Sequence, residues 1–175
     1  MDPEKQLALF YDHYERYSAV FNISDNTKAF FSLNYNFLAT DLKVKSDGIQ
    51  KKYDKHTLNV MFPTDSELFK IVRGIEEFIE RKVLDESVYS GYTFKSAIFK
   101  HEKSGNSFMN VQIPYRNKKM ECIFIDNTSG RHIMAFDIKE KSNVNIQLRC
   151  ACIWIYHETK QFGITWQGKH VYLLK

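Results

Sequence analysis

From Val144 the apolar residues fall at every second position (Val144, Ile146, Leu148, Cys150), with Asn145, Gln147 and Arg149 between them. This is the period of a strand with one buried face. After Cys150 the alternation fails, because Ala151, Cys152, Ile153, Trp154, Ile155 and Tyr156 are all apolar or aromatic. Either both faces are covered there, or a bulge exchanges the faces and turns Trp154 and Tyr156 outward. A short polar connection over 157–161 leads to Phe162, Ile164 and Trp166, which resume the period with Gly163 between the first two. Gly168 permits a bend before Val171 and Leu173.

The same period upstream predicts a series of strands. Residues 27–37 place Ala29, Phe31, Leu33, Tyr35 and Phe37 on one face, and Lys28, Phe30, Ser32, Asn34 and Asn36 on the other, so that Phe30 is the single exposed aromatic. Residues 41–55 read as a polar loop holding Lys43, Lys45, Lys51, Lys52 and Lys55 around Gly48 and Tyr53. A strand over 57–62 leads through Pro63 into the one long helix, where Thr64 and Glu67 have capping-box spacing. Leu68, Ile71, Val72, Ile75, Phe78, Ile79 and Val83 recur at three and four, giving an amphipathic helix with an acidic outer face that would include Glu76 and Glu77. Strands are then expected over 93–101, 108–115, 120–126 and 132–138, separated by turns at 103–106, 117–119 and 127–130. Asp2-Pro3 can start a short N-terminal helix whose aromatic residues Phe10, Tyr11, Tyr14 and Tyr17 pack inward. Many short strands with hairpin connections and one helix among them predict a mainly β fold, a small closed barrel. The expected organisation is an N-terminal extension over 1–26 and a single domain over 27–175, with the helix inserted at about 64–84.

Composition narrows the class. The chain has 175 residues, is 15% aromatic and carries 7 Gly and 3 Pro, a make-up of packed rather than low-complexity chains. No apolar run is long enough to cross a membrane, and the acidic, tyrosine-rich N-terminus lacks the basic and apolar regions of a signal peptide, so a soluble intracellular protein is expected. Cys122, Cys150 and Cys152 all lie within apolar strand patterns and read as buried free thiols of a reducing compartment, the last two on one strand face. The net charge of +4 is unevenly spread: residues 1–27 carry −3, 28–55 carry +3, 56–94 carry −3, 95–119 carry +5 and 120–175 carry +2. Basic character therefore sits in the strands and loops and not in the helix, as a polyanion-binding groove requires.

Catalytic constellations are poorly represented. The glycines form no phosphate-cradling loop or dinucleotide fingerprint, the six histidines lack zinc spacing, and Cys122 in an alternating strand is a poor nucleophile. No enzyme activity, metal or cofactor is expected. Binding chemistry is better supplied, since a single strand of nucleic acid needs a basic track interleaved with aromatic platforms. Lys43, Lys45, Lys51 and Lys52 flank Tyr53; Lys95 and Lys100 share a segment with Phe94 and Phe99; Arg116, Lys118 and Lys119 follow Tyr115; and Arg149 precedes Trp154. Lys28 and Phe30 complete the candidates by parity, while Trp166 shares parity with Phe162 and Ile164.

The order of pieces resembles the OB-fold single-stranded DNA-binding proteins of phages and large DNA viruses, which act in replication and recombination. The likeness runs over roughly 27–174. It is carried by TKAFFSLNYN, the basic loop, HTLNVMFPTDSELFKIVRGIEEFIE, SGYTFKSAIFKHEKSGNSFMNVQIPY and, above all, the closing SNVNIQLRCACIWIYHETKQFGITWQGKHVYLL. It implies an OB-fold-like closed β-barrel whose cleft is lined by basic and aromatic side chains, with single-stranded DNA as partner. Replication proteins and further copies of the chain are secondary partners, and the location is the host nucleus or a cytoplasmic replication site. Many phage members carry a long acidic C-terminal tail that recruits replication partners, whereas this sequence ends at Lys175 directly after its last strand. Recruitment would then fall to the acidic helix or the N-terminal segment. The competing expectations are a β-barrel module for protein–protein interaction and an RNA-binding OB module, since bases offer the same stacking faces in either polymer.

Overall fold

A computed structural model describes residues 2–17, 28–52 and 55–174, with backbone alone at 17, 28–30, 37–43, 47 and 52. Tyr53 lies outside the described residues, as do the side chains of Lys28, Phe30, Lys43 and Lys52. In chain order the elements are α1 (Pro3–Tyr17), β1 (Lys28–Lys52), β2 (Lys55–Pro63), α2 (Glu67–Leu84), β3 (Thr93–Lys95), β4 (Ile98–His101), β5 (Asn106–Ile113), β6 (Tyr115–Arg116), β7 (Lys119–Met120), β8 (Ile123–Asp126), β9 (Glu140–Tyr156) and β10 (Gln161–Leu173). The fold is mainly β. Five strands close on themselves in the order β1, β2, β5, β10, β9 and back to β1. All contacts round this ring are antiparallel except the closing one, where Gln167 of β10 meets Gln112 of β5 in parallel.

β1 makes closure possible because it is long enough to serve two neighbours. Its first part pairs with β9, from Lys28 against Tyr156 to Asp47 against Glu140, and its second with β2, from Lys45 against Met61 to Lys52 against Lys55. The polar stretch expected as a loop is thus largely strand, and Lys43, Lys45, Lys51 and Lys52 are strand residues. The bulge that disguised it lies between Ser46 and Ile49, where Gly48 takes φ +80 and donates its N–H to Ser46 Oγ at 2.9 Å. Such a bulge shifts parity, so no single period runs the length of the strand.

Leu58, Val60 and Phe62 of β2, Met109, Val111 and Ile113 of β5, and Ile153, Ile155, Phe162 and Ile164 of the closing hairpin fill the barrel. Leu68, Ile71, Val72, Ile75, Ile79 and Val83 line the buried side of α2, which contacts β1, β2 and β10. Its N-cap is Ser66, whose Oγ accepts from Phe69 N–H at 3.3 Å, and not Thr64, which instead shares a hydrogen bond with Ser107 at 2.8 Å. α1 packs through Phe10, Tyr11 and Tyr14 on Phe78 of α2, with ring centroids 4.6 to 5.9 Å apart.

Four expected strands are altered. That over 108–115 breaks at Pro114 into β5 and β6, and that over 120–126 divides into β7, which pairs with β6, and β8, which pairs with β10. The segment over 93–101 is split at Ser96-Ala97, so that β3 pairs in parallel with β10 and β4 antiparallel with β5. The segment over 132–138 is no strand: it makes one bridge, His132 to Ile125, and then a 3-10 turn, Ala135–Asp137, closed by the Asp137 carboxylate accepting from Met134 N–H at 2.9 Å. Met134 and Phe136 keep the apolar alternation but are exposed, and that alternation was the misleading signal.

Glu76 corrects the expectation of an acidic outer face. It follows Val72 by four residues and precedes Ile79 by three, which sets it on the buried stripe, and it is fully buried. Its carboxylate accepts from Ser96 Oγ at 3.0 Å and Ala97 N–H at 3.1 Å, with Arg73 at 3.9 Å, and this anchor sets the break between β3 and β4. Burial pushes the carboxyl up from its ordinary 4.5 to about 7, and Glu80 adds to this, while the two hydrogen bonds and Arg73 pull the other way. The folded protein therefore holds this proton more tightly than the unfolded chain does. Its contribution to stability is complete below about pH 4.5 and lost as pH rises through about 7. Denaturant titrations across that window are expected to show wild type losing stability relative to Glu76→Gln as pH rises. Parallel curves would mean that Glu76 does not titrate there.

Candidate nucleic-acid interface

The candidate interface is the outer face of the barrel, and its decisive feature is the change of face in β9. Val144, Ile146, Leu148 and Cys150 point inward; after a register shift at Cys150 to Cys152, Ile153 and Ile155 do so, and Trp154 and Tyr156 face out. Of the two sequence readings, the bulge is correct. It also separates Cys150, which is buried, from Cys152, which lies on the outer face, so the two thiols do not share a face. Burial pushes Cys122 up to about 12 and Cys150 well above the usual thiol value. Neither is poised as a thiolate.

Directly paired residues share a face, so the register assembles rows across the strands. One row runs from Lys95 through Gly163 to Trp154, and the next from Thr93 through Gln161 to Tyr156, with the backbone of Phe30 and Lys28 paired beside them. Gly163 is the seat of the indole: a Cβ there would lie 2.6 Å from Trp154 Cζ2, 2.9 Å from its Cε2 and 2.8 Å from the Lys95 carbonyl oxygen. Trp154 therefore lies against bare backbone, beside Tyr156 at a centroid distance of 4.9 Å and 37° between planes. Gly163→Ala is expected to dislodge the indole and press on β3. Melting curves should show lower stability, and any ligand stacked on Trp154 should bind more weakly; an unchanged protein would remove the seat from the argument.

Beyond the aromatic rows a polar belt circles the barrel, pairing Gln50, Thr57, Gln112, Gln167, Arg149 and Asn36 in turn. Gln167 Nε2 donates to Gln112 Oε1 at 3.3 Å across the closing contact. Between belt and indole the surface sinks into a groove of about 580 Å³. Lys55 and Thr57 line it from β2, Asn110 and Gln112 from β5, Thr165 and Gln167 from β10, and Cys152, Trp154 and Tyr156 from β9.

The candidate cations distribute unevenly around this groove. Lys95 is exposed at the indole end, and Lys55, which sequence reasoning left out of the site, lines the opposite end across from Lys52. Lys51 is exposed beside them, opposite His56. The β6–β7 hairpin turns at Asn117 and Lys118, both left-handed with φ 50 and 62. Tyr115 rests on His56 at 4.8 Å, which sets the hairpin with its exposed Lys118 and Lys119 against the start of β2, while Arg116 pairs with Glu121 at 3.5 Å. Arg149 belongs to the belt, but its guanidinium donates to Asn34 Oδ1 and its Nε is buried without an acceptor. Lys100 faces the helix side, with Nζ 5.1 Å from the Phe69 ring centroid, and Lys45 lines separate hollows farther along the barrel. Tyr156 and Gly163 were legible only through the bulge and the pairing that follows it. Among the described residues no three His, Cys, Asp or Glu side chains gather as metal ligands, and no helix is long and apolar enough to cross a membrane.

The closed five-strand ring, antiparallel but for one parallel closing contact, defines an OB-like barrel. Among solved structures the chain is similar to gp2.5, a single-stranded DNA binding protein encoded by bacteriophage T7, with a TM-score of 0.52 and 8% identity over 80% of this chain and 91% of that one. At this identity the likeness is one of fold. No family model matches the chain, and no curated protein matches it.

Proposed function

We propose that the protein is a non-enzymatic single-stranded DNA-binding protein that coats exposed strands during viral DNA replication, recombination or repair. The observation that carries this reading is the Trp154 indole laid against Gly163 in an open groove, with Tyr156 beside it. A flat, sequence-tolerant platform of this kind fits the π-face of any base. The amides of Asn110, Gln112 and Gln167 both donate and accept, and so fit sugar, phosphate or base edges. Lys55 and Lys95 at the two ends, with Lys51, Lys118 and Lys119 nearby, supply the phosphate charge. The shared barrel with gp2.5 supports the same reading.

The test is a tryptophan fluorescence titration with poly(dT) and with matched duplex at several salt concentrations. Poly(dT) should quench the emission, duplex should do so far less, and log affinity should fall linearly with log salt as counterion release is suppressed. Binding indifferent to salt, or a duplex response equal to that of poly(dT), would refute the reading. Matched RNA in competition distinguishes the two polymers. If charge reversal at Lys51, Lys52, Lys118 and Lys119 leaves affinity intact, the barrel serves a protein partner instead.

A further inference from the structure

The outer face of β2 and β5 does not end at the groove. Asn110, which lines the groove, is paired with Asn59, and beyond this pair Met61 stands opposite Phe108, about 7 Å farther along the strands. Met61 and Lys45 are shared by two adjoining hollows of about 210 and 230 Å³. Phe108 and Pro63 make the lining apolar, and Lys141 and Glu140 stand at the rim. The same row continues outward to Phe99, which is 59% exposed on the edge strand β4.

Two lysines against one glutamate leave a modest positive charge over an apolar, aromatic floor. That combination matches a flat base attached to a phosphate better than it matches a polyanion alone. The face is also continuous with the groove, since Asn110 of the groove is the outward neighbour of Phe108 on β5. We propose that a bound single strand runs beyond the groove along the outer face of β2 and β5. It seats a further base against Met61 and Phe108, with Lys45 and Lys141 on its phosphates. This rests on the single-strand reading above and assigns Lys45 a place that the groove does not offer.

The test measures affinities of the full chain for oligothymidylates of about 4 to 16 nucleotides, the range that OB folds cover. Measurements are made at about 0.15 M salt, where a Debye length of about 8 Å confines each lysine's field. Two variants, Lys45→Glu/Lys141→Glu and Phe108→Ala, are compared with Trp154→Ala, each first checked for folding by denaturation. The seat variants should weaken the longest oligomers about fivefold or more, the low end for losing one stacked base, and leave the shortest unchanged. Trp154→Ala should weaken every length. If the seat variants change nothing while Trp154→Ala weakens all lengths, the strand stops at the groove and the extension is wrong. Equal losses at every length would also overturn it, as would a change confined to self-association, which would assign the face to protein. If Trp154→Ala is itself without effect, the groove reading falls as well.

Discussion

Replacing Trp166 by alanine is expected to destabilise the protein by about 3–5 kcal/mol, the range for truncating a buried aromatic residue. Trp166 is 2% exposed and among the largest fully buried side chains. It stands on β10 opposite Cys150, where β9 bulges, between the inward residues Ile164 and Gly168. Its loss opens a cavity where the barrel closes, because the next residue, Gln167, makes the parallel contact with Gln112. Urea unfolding of wild type and variant should show the midpoint fall with little change in slope. A loss below about 1 kcal/mol would mean that the site collapses around the gap or that the ring is not in the core.

Replacing Trp154 by alanine should do the reverse. Stability should change little, because the indole is half exposed and lies over a glycine, so no large cavity follows. Affinity for single-stranded DNA should fall by about 1–3 kcal/mol, or about 5- to 150-fold, the worth of one stacked base. Anisotropy titrations with a labelled oligothymidylate at fixed salt measure the loss directly. The two tryptophans also separate optically: quenching by DNA should vanish in Trp154→Phe and persist in Trp166→Phe. Quenching that follows Trp166 instead, which borders the same groove from the core side, would take the Trp154 indole out of the contact.

Legibility differed between core and site. The helix, the barrel class and the inward residues of β2, β5, β9 and β10 follow from periods of three to four and of two, because burial on one face imposes a period on whatever chain supplies it. The period failed where the backbone broke step. The bulge near Gly48 made the second part of β1 read as a loop, and the bulge at Cys150 left the outward turn of Trp154 as one of two readings. Glu76 was misjudged because its charge outweighed its position on the buried stripe, and its partners, Ser96 Oγ and Ala97 N–H, stand 20 and 21 residues away.

The sequence by itself determined which residues had to be hidden, how the strands alternate and where positive charge gathers, since each is a property of neighbours along the chain. Only the tertiary structure decided which outward residues meet. Lys95, Gly163 and Trp154 come from three strands, and they form one row because pairing registers, offset by bulges, bring them level. The same registers carry Lys55 into the groove and leave Lys100 against Phe69 and Lys45 beyond the asparagine pair. Register is set by hydrogen bonding between distant segments, and a shift of one residue turns a side chain to the opposite face.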